Sequence, residues 1–185
     1  YRRTEVFTKL VTSNGETQLL AMPLALAMSV NVGFILGLVF VPGLWGVVEY
    51  LFPLAMIAFA AIAGIAFRRI GAFLGRVLSD GGVFDVTANN SFAQLLPAFA
   101  LSMTAVGMAA PAAMSMVPTT VGVSMILSVM LGTVAGLYAV VAAIIALSSM
   151  LQHGTAKESA PTLMVVVPIL TVLGIMTMRQ EHGLH

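Results

Sequence analysis

The chain lacks cysteine and has few charged residues, and both shortages limit its chemistry. Without cysteine, disulfides, thiolate catalysis and iron–sulfur ligation are excluded. Charged residues make up 8% of the 185 residues, and the formal net charge is +1. A soluble domain averages about 25% charged residues. No basic run is interleaved with aromatic residues, so the sequence does not indicate a nucleic-acid surface.

Apolar residues dominate instead. They make up 59% of the chain, and the mean hydropathy is +1.04. A helix needs about 20 consecutive apolar residues to cross a bilayer. The sequence therefore predicts an all-α integral membrane protein. We predict five spans near 18–41, 46–67, 92–115, 119–149 and 161–178.

These runs divide the chain into one transmembrane domain, 18–178, between two polar ends. The N-terminal segment, 1–17, is expected in the cytoplasm. Apolar residues at helical spacing from 68 to 80 predict that the second helix continues into the cytoplasmic interface, before a turn that ends at 91. The chain opens on Tyr1. We favour the interpretation that it is a fragment and that the C-terminal tail, 179–185, is a truncated continuation.

The basic residues are distributed unevenly between the two sides that five spans define. An excess of lysine and arginine marks the cytoplasmic side. This rule predicts a cytoplasmic N-terminus. The residues on that side are Arg2, Arg3, Lys9, Arg68, Arg69, Arg76 and Lys157, and only Arg179 falls on the other.

Prolines recur at corresponding places in the first, third and fifth runs. Pro23 and Pro97 are each followed ten residues later by a glycine, and Pro168 begins a looser third copy. A proline inside a helix costs about 3 kcal/mol because it removes a hydrogen bond and forces a bend. Membrane helices tolerate such bends where protein or a water-filled cavity surrounds them. We therefore predict repeated helical hairpins with proline-kinked inner helices.

Polar residues near these prolines are the candidates for lining a path through the membrane. Hydroxyls and amides suit anions, whereas carboxylates would repel them, and no Asp or Glu lies deep in the runs. The alternative for each hydroxyl is a hydrogen bond to its own helix or a neighbouring one. The pore-lining candidates are Pro23, Ser29, Asn31, Pro97, Ser102, Thr104, Pro168 and Thr171.

The segments GGVFD and NNSFAQLLPAFA, within 81–100, carry a family resemblance. They are similar to the cytoplasmic turn and following helix of the tellurite-resistance and dicarboxylate transporter family, which includes plant guard-cell slow anion channels. A leucine-glutamine-histidine exit at 151–153 follows in the same order as in that family. The residues that match the turn motif are Gly81, Gly82, Phe84 and Asp85.

The resemblance implies ten helices in five hairpins, with five kinked inner helices around a pore, commonly in a homotrimer. The present chain corresponds to about the third to seventh of those helices. Relatives conduct or export small anions. The pore-plugging phenylalanine of the family belongs to a helix with no counterpart here, so no gate residue is assigned.

No catalytic constellation, phosphate-cradling loop or metal-ligand spacing appears in the polar segments. We therefore predict no enzyme, no metal and no cofactor, and we expect only lipid, a small inorganic or organic anion and further copies of the chain as partners. The leading hypothesis, which follows the family resemblance, is a small-anion channel or transporter in a bacterial inner membrane. The alternatives are a non-transporting membrane subunit that anchors or stabilises a complex and a haem or quinone anchor. The haem anchor is disfavoured because no histidine lies within the runs.

Overall fold

The computed structural model describes residues 5–11, 14–79, 91–155 and 157–184. Within these ranges the chain forms helices, turns and bends, and no β-strand. The matched turn motif, Gly81, Gly82, Phe84 and Asp85, lies outside the described residues. The α-helices are α1 Glu5–Val11, α2 Ala21–Phe40, α3 Val48–Leu78, α4 Leu96–Met108, α5 Ala110–Met114, α6 Pro118–His153 and α7 Val166–His182.

Five helical stretches in the described ranges are long and apolar enough to cross a membrane, which indicates an integral membrane protein. Each overlaps one of the five predicted runs. We call them the first to fifth spans: Gly15–Phe40, Val48–Leu78, Phe92–Met114, Pro118–His153 and Ala160–His182.

Three of the spans continue past the apolar runs that indicated them, and the fourth continues from residue 149 to His153. The second span continues to Leu78, as the helical spacing after residue 68 predicts. The fifth span continues to His182, so the segment after residue 178 begins as helix and not as a tail. Arg179 therefore lies within α7, where it can contact the neighbouring helices.

The third span lies at the centre of the bundle. In its most apolar window, 78% of the residues are buried, and α4 packs against α2, α3, α6 and α7. Alanines such as Ala98, Ala100 and Ala105 have no exposed surface, which lets neighbouring helices approach closely. The first and fifth spans, also predicted as inner helices, are only 17% and 11% buried in the corresponding windows.

Each predicted kink site lies at the beginning of an α-helix. Pro97 is the second residue of α4, and Pro23 and Pro168 are the third residues of α2 and α7. A 3₁₀ segment leads directly into each of these helices. Proline costs little in a first turn, because the N–H groups there have no partner within the α-helix. The structure thus does not confirm proline bends inside these helices or the repeated hairpins, and both stay predictions.

Two side-chain contacts hold opposite ends of the bundle. At one end, Arg76 in the last turn of α3 forms a salt bridge of 3.1 Å to Glu16, which precedes α2. At the other end, the carboxylate of Glu49 accepts hydrogen bonds from the Ser115 hydroxyl at 2.7 Å and the Met116 N–H at 2.6 Å. The second contact fixes the connection between the third and fourth spans against the beginning of α3.

Candidate functional site

The four hydroxyl candidates all bond to their own helices. Each donates a hydrogen bond of 2.8 or 2.9 Å to the carbonyl oxygen four residues earlier. Ser102 and Thr104 are fully buried in α4, whereas Ser29 and Thr171 are exposed on α2 and α7. These bonds agree with the alternative in which each hydroxyl bonds to the backbone of its own helix. The acceptors are Ala25 for Ser29, Ala98 for Ser102, Ala100 for Thr104 and Val167 for Thr171.

The three prolines differ in burial. Pro23 and Pro97 are fully buried, whereas Pro168 is half-buried. Pro168 lines an open, apolar groove of 590 Å³ between the lead-in segments of the third and fifth spans. In that groove the Thr162 hydroxyl accepts a hydrogen bond of 3.1 Å from the Phe92 N–H. This contact joins the two segments and leaves the groove almost without polar surface.

Asn31 is the polar candidate that reaches a neighbouring helix and a cavity. Its Nδ2 donates hydrogen bonds to the carbonyl oxygens of Ala27 at 2.9 Å and Met103 at 3.2 Å. The second bond joins α2 to α4. Asn31 also lines a cavity of 140 Å³ between the first, second, third and fifth spans.

This cavity is apolar except for two side chains. Aromatic and aliphatic residues form most of its wall, including Phe34 from α2 and Phe59 from α3. The polar members are Asn31 and Arg179. Arg179 lies near the end of the fifth span, and an arginine within a span is costly unless it has a counter-charge or a functional role. We define Arg179, Asn31 and the cavity they line as the candidate site.

The helix of the third span is interrupted beside the cavity. α4 ends at Met108 and α5 begins at Ala110, with Ala109 in a turn between them. Pro111 contributes to this interruption, because it has no N–H to donate to the carbonyl of Gly107. Gly107 itself allows close packing: a Cβ atom there would collide with the Phe59 ring. The interruption thus lies where the backbone approaches α3 and the cavity.

Side chains from two neighbouring spans bind the carbonyls that the interruption leaves without helical partners. Nη1 of Arg179 donates a hydrogen bond of 2.6 Å to the Val106 oxygen. The fully buried Ser124 hydroxyl, from α6, donates one of 2.5 Å to the Met108 oxygen. Helix ends leave their last carbonyls without donors, and a positive charge there also favours the helix dipole. Arg179 and Ser124 therefore cap α4 from two sides.

Arg179 is the one charged side chain among the described residues that line the cavity. Among the described residues the one salt bridge is that between Arg76 and Glu16, so Arg179 has no carboxylate partner there. Glu49 accepts hydrogen bonds from Ser115 and Met116 in the connection after α5, and it does not line the cavity. Within the described ranges no group of three or more His, Asp or Glu residues could hold a metal ion. The chemistry that this arrangement favours is attraction of a negative charge into an apolar cavity.

Sequence reasoning identified Asn31 but missed Arg179 as a site residue, because an apolar run is taken to end at its first charged residue. The available signal was the stretch MRQEHG at 178–183. Arginine, glutamine and glutamate favour helix, and a glycine just beyond them is a common stop. Extending α7 to that glycine would have placed Arg179 on a helix within the bundle.

No family model, curated protein or solved structure matches the chain.

Proposed function

We propose that the protein transports small anions across a membrane, along a path that includes the cavity at Arg179. The observation that carries the proposal is this arginine, which lines an apolar cavity at an interrupted helix and forms no salt bridge among the described residues. Charged residues within spans commonly mark ion pathways. Interrupted helices commonly flank the binding sites of transporters.

Charge distribution supports anions over cations. In the described spans the carboxylates lie near span ends, at Glu16, Glu49 and Glu181. Glu16 is paired with Arg76, and Glu49 accepts two hydrogen bonds. None of these three carboxylates lines the cavity, so a cation entering it would meet the charge of Arg179 at the cavity wall. An anion would gain electrostatic attraction, which is strong where water is scarce.

The resemblance to tellurite-resistance and dicarboxylate transporters supports the same class of function. On this proposal, kinked inner helices from repeated hairpins line the path, and the protein assembles as a homo-oligomer, a trimer by that resemblance. The low burial of the first and fifth spans leaves apolar surface for such packing. The proposed location is a bacterial inner membrane with the N-terminus in the cytoplasm, and no cofactor is required.

Flux through reconstituted liposomes tests this proposal. Purified protein is inserted into vesicles, and uptake of chloride, nitrate and malate is followed beside protein-free vesicles. If the protein transports anions, uptake of at least one of them should depend on the protein. The rate of that uptake should be lower for the Arg179→Gln variant. The exposed Arg68 supplies the matched control, and Arg68→Gln should preserve uptake. Absence of protein-dependent flux for all three anions would refute the proposal.

A second candidate function is a non-transporting membrane subunit that anchors or stabilises a complex. The observation that favours it is the bonding of all four hydroxyl candidates to their own helices. Residues occupied in this way can serve packing alone. Absent flux together with a stoichiometric partner that co-purifies from native membranes would favour this function over transport.

A further inference from the structure

We propose that the Nε–Nη2 edge of the Arg179 guanidinium binds one singly charged, planar oxyanion such as formate, bicarbonate or nitrate. This inference deepens the proposed function and rests on it, because the anion bound here is the one expected to move along the path. The site consists of Arg179, the apolar cavity that it lines and the helix interruption that fixes its position.

The hydrogen bonding of Arg179 leaves part of its guanidinium available. A guanidinium carries five N–H donors in a rigid plane. Nη1 donates to the Val106 oxygen, which holds the plane in place. Among the described residues, Nε and Nη2 have no acceptor. Two parallel donors on one edge match two oxygens of a planar oxyanion, and such paired bonds are stronger and more specific than single ones.

The polar surroundings favour a single negative charge. Asn31 uses Nδ2 for the Ala27 and Met103 carbonyls, so its amide N–H groups are already occupied. The other cavity residues present apolar side chains or glycine, and the one guanidinium supplies the positive charge. A dianion would retain one charge without a partner in an apolar space, where an unpaired ion is strongly disfavoured.

The size of the cavity is consistent with a small ligand. Its volume is 140 Å³, whereas a water molecule occupies about 30 Å³ in the liquid. The space therefore holds an anion of three or four heavy atoms together with a few waters. Phe34 and Phe59 in the cavity wall offer no hydrogen bonds. The waters would therefore donate hydrogen bonds to the outer oxygens of the anion.

Equilibrium dialysis with radiolabelled formate tests the site on the purified protein in detergent, at constant ionic strength. We expect saturable binding of one formate per chain, displacement by unlabelled nitrate, and displacement by sulfate only at concentrations about tenfold higher or more, equivalent to at least about 1.4 kcal/mol. Equal competition by sulfate and nitrate, or absence of saturable formate binding, would overturn the inference. This wild-type series can overturn the inference even if no variant folds.

Variants add a test of the fork geometry. Arg179→Gln should lower formate affinity about tenfold or more, and Arg179→Lys should bind weakly, because a lysine keeps the charge but lacks the planar pair of donors. Arg68→Gln should bind as the wild type does, since Arg68 is exposed outside the cavity. Unchanged formate affinity in a folded Arg179→Gln variant would also overturn the inference.

The binding and flux measurements separate the two proposals. Selective formate binding without anion flux would retain the site and refute transport. Anion flux without formate binding would retain transport and refute the site.

Discussion

Arg179 donates a hydrogen bond of 2.6 Å from its Nη1 to the carbonyl oxygen of Val106, and this contact joins the fifth span to the interruption in the third. The bond gives a fixed position to a positive charge beside an apolar cavity. It also supplies a donor to a carbonyl at the end of α4, where the helix offers none. Structural capping and the proposed anion binding thus use different edges of the same guanidinium.

Removing the second cap should destabilise the protein. Ser124→Ala deletes the buried hydroxyl that donates to the Met108 oxygen. Hydrogen bonds between membrane helices contribute about 0.6 kcal/mol on average and up to about 1.7 kcal/mol. Because this carbonyl lies at a helix end, we expect a loss toward the upper value, measured as the free energy of unfolding in detergent.

Ser148→Ala is the matched control for Ser124→Ala, since Ser148 lies exposed on the same helix, α6. Its hydroxyl accepts only an exposed hydrogen bond of 3.3 Å from Gln152 Nε2 on the same helix, so its removal should change the free energy of unfolding much less than Ser124→Ala does. Equal effects of the two substitutions would show that the cap on Met108 contributes nothing specific.

The close approach at Gly107 should not tolerate a side chain. An added Cβ would collide with the ring of Phe59, which is itself buried. Overpacking of this kind costs about 1–3 kcal/mol, so we expect Gly107→Ala to lower the melting temperature in detergent. Combining it with Phe59→Leu should cost less than the sum of the two single substitutions, because the second change makes room for the first.

Gly33 provides the control for Gly107, because it follows Pro23 at the same distance and a Cβ there meets no atom within 4 Å. Gly33→Ala should be neutral or stabilising, since alanine favours helix over glycine by about 0.5–1 kcal/mol. If both glycine substitutions lower the melting temperature equally, the close packing of α4 on α3 does not explain the effect of Gly107→Ala.

The carboxylate of Glu49 should stabilise the connection between the third and fourth spans. Glu49→Gln removes the negative charge and leaves one carbonyl oxygen for two donors, the Ser115 hydroxyl and the Met116 N–H. We expect a loss of about 1 kcal/mol, the typical net value of one hydrogen bond, together with increased protease cleavage near Met116. Glu181→Gln is the control, because Glu181 is exposed near the end of α7; a similar loss there would contradict this role.

Hydropathy predicted the five spans because a bilayer requires long apolar runs, and those runs are plain in the sequence. The extension of α3 beyond Arg68 was also predictable, since apolar residues continue at helical spacing between the arginines. The predicted ends of the spans were less accurate where a charged residue lies within a helix. Hydropathy alone could not place Arg179 in α7, because its charge is accommodated by a carbonyl on a different span.

The positions of breaks could not be predicted from proline alone. Pro97 and Pro111 look alike in the sequence, yet the 3₁₀ lead-in makes Pro97 part of a first turn, while Pro111 follows directly on the interruption of the third span. Which carbonyls then find donors depends on Ser124 and Arg179, which are distant in the chain. Pro111 removes one donor within the third span, and these tertiary contacts supply donors to carbonyls beside it.

The most direct test of anion transport through this site is the initial rate of nitrate uptake into liposomes, compared between the wild type and Arg179→Gln at equal protein content. We predict protein-dependent uptake for the wild type, a reduction of about tenfold or more in Arg179→Gln, and wild-type rates for Arg68→Gln. Equal nitrate uptake by the wild type and a correctly folded Arg179→Gln variant would contradict the account.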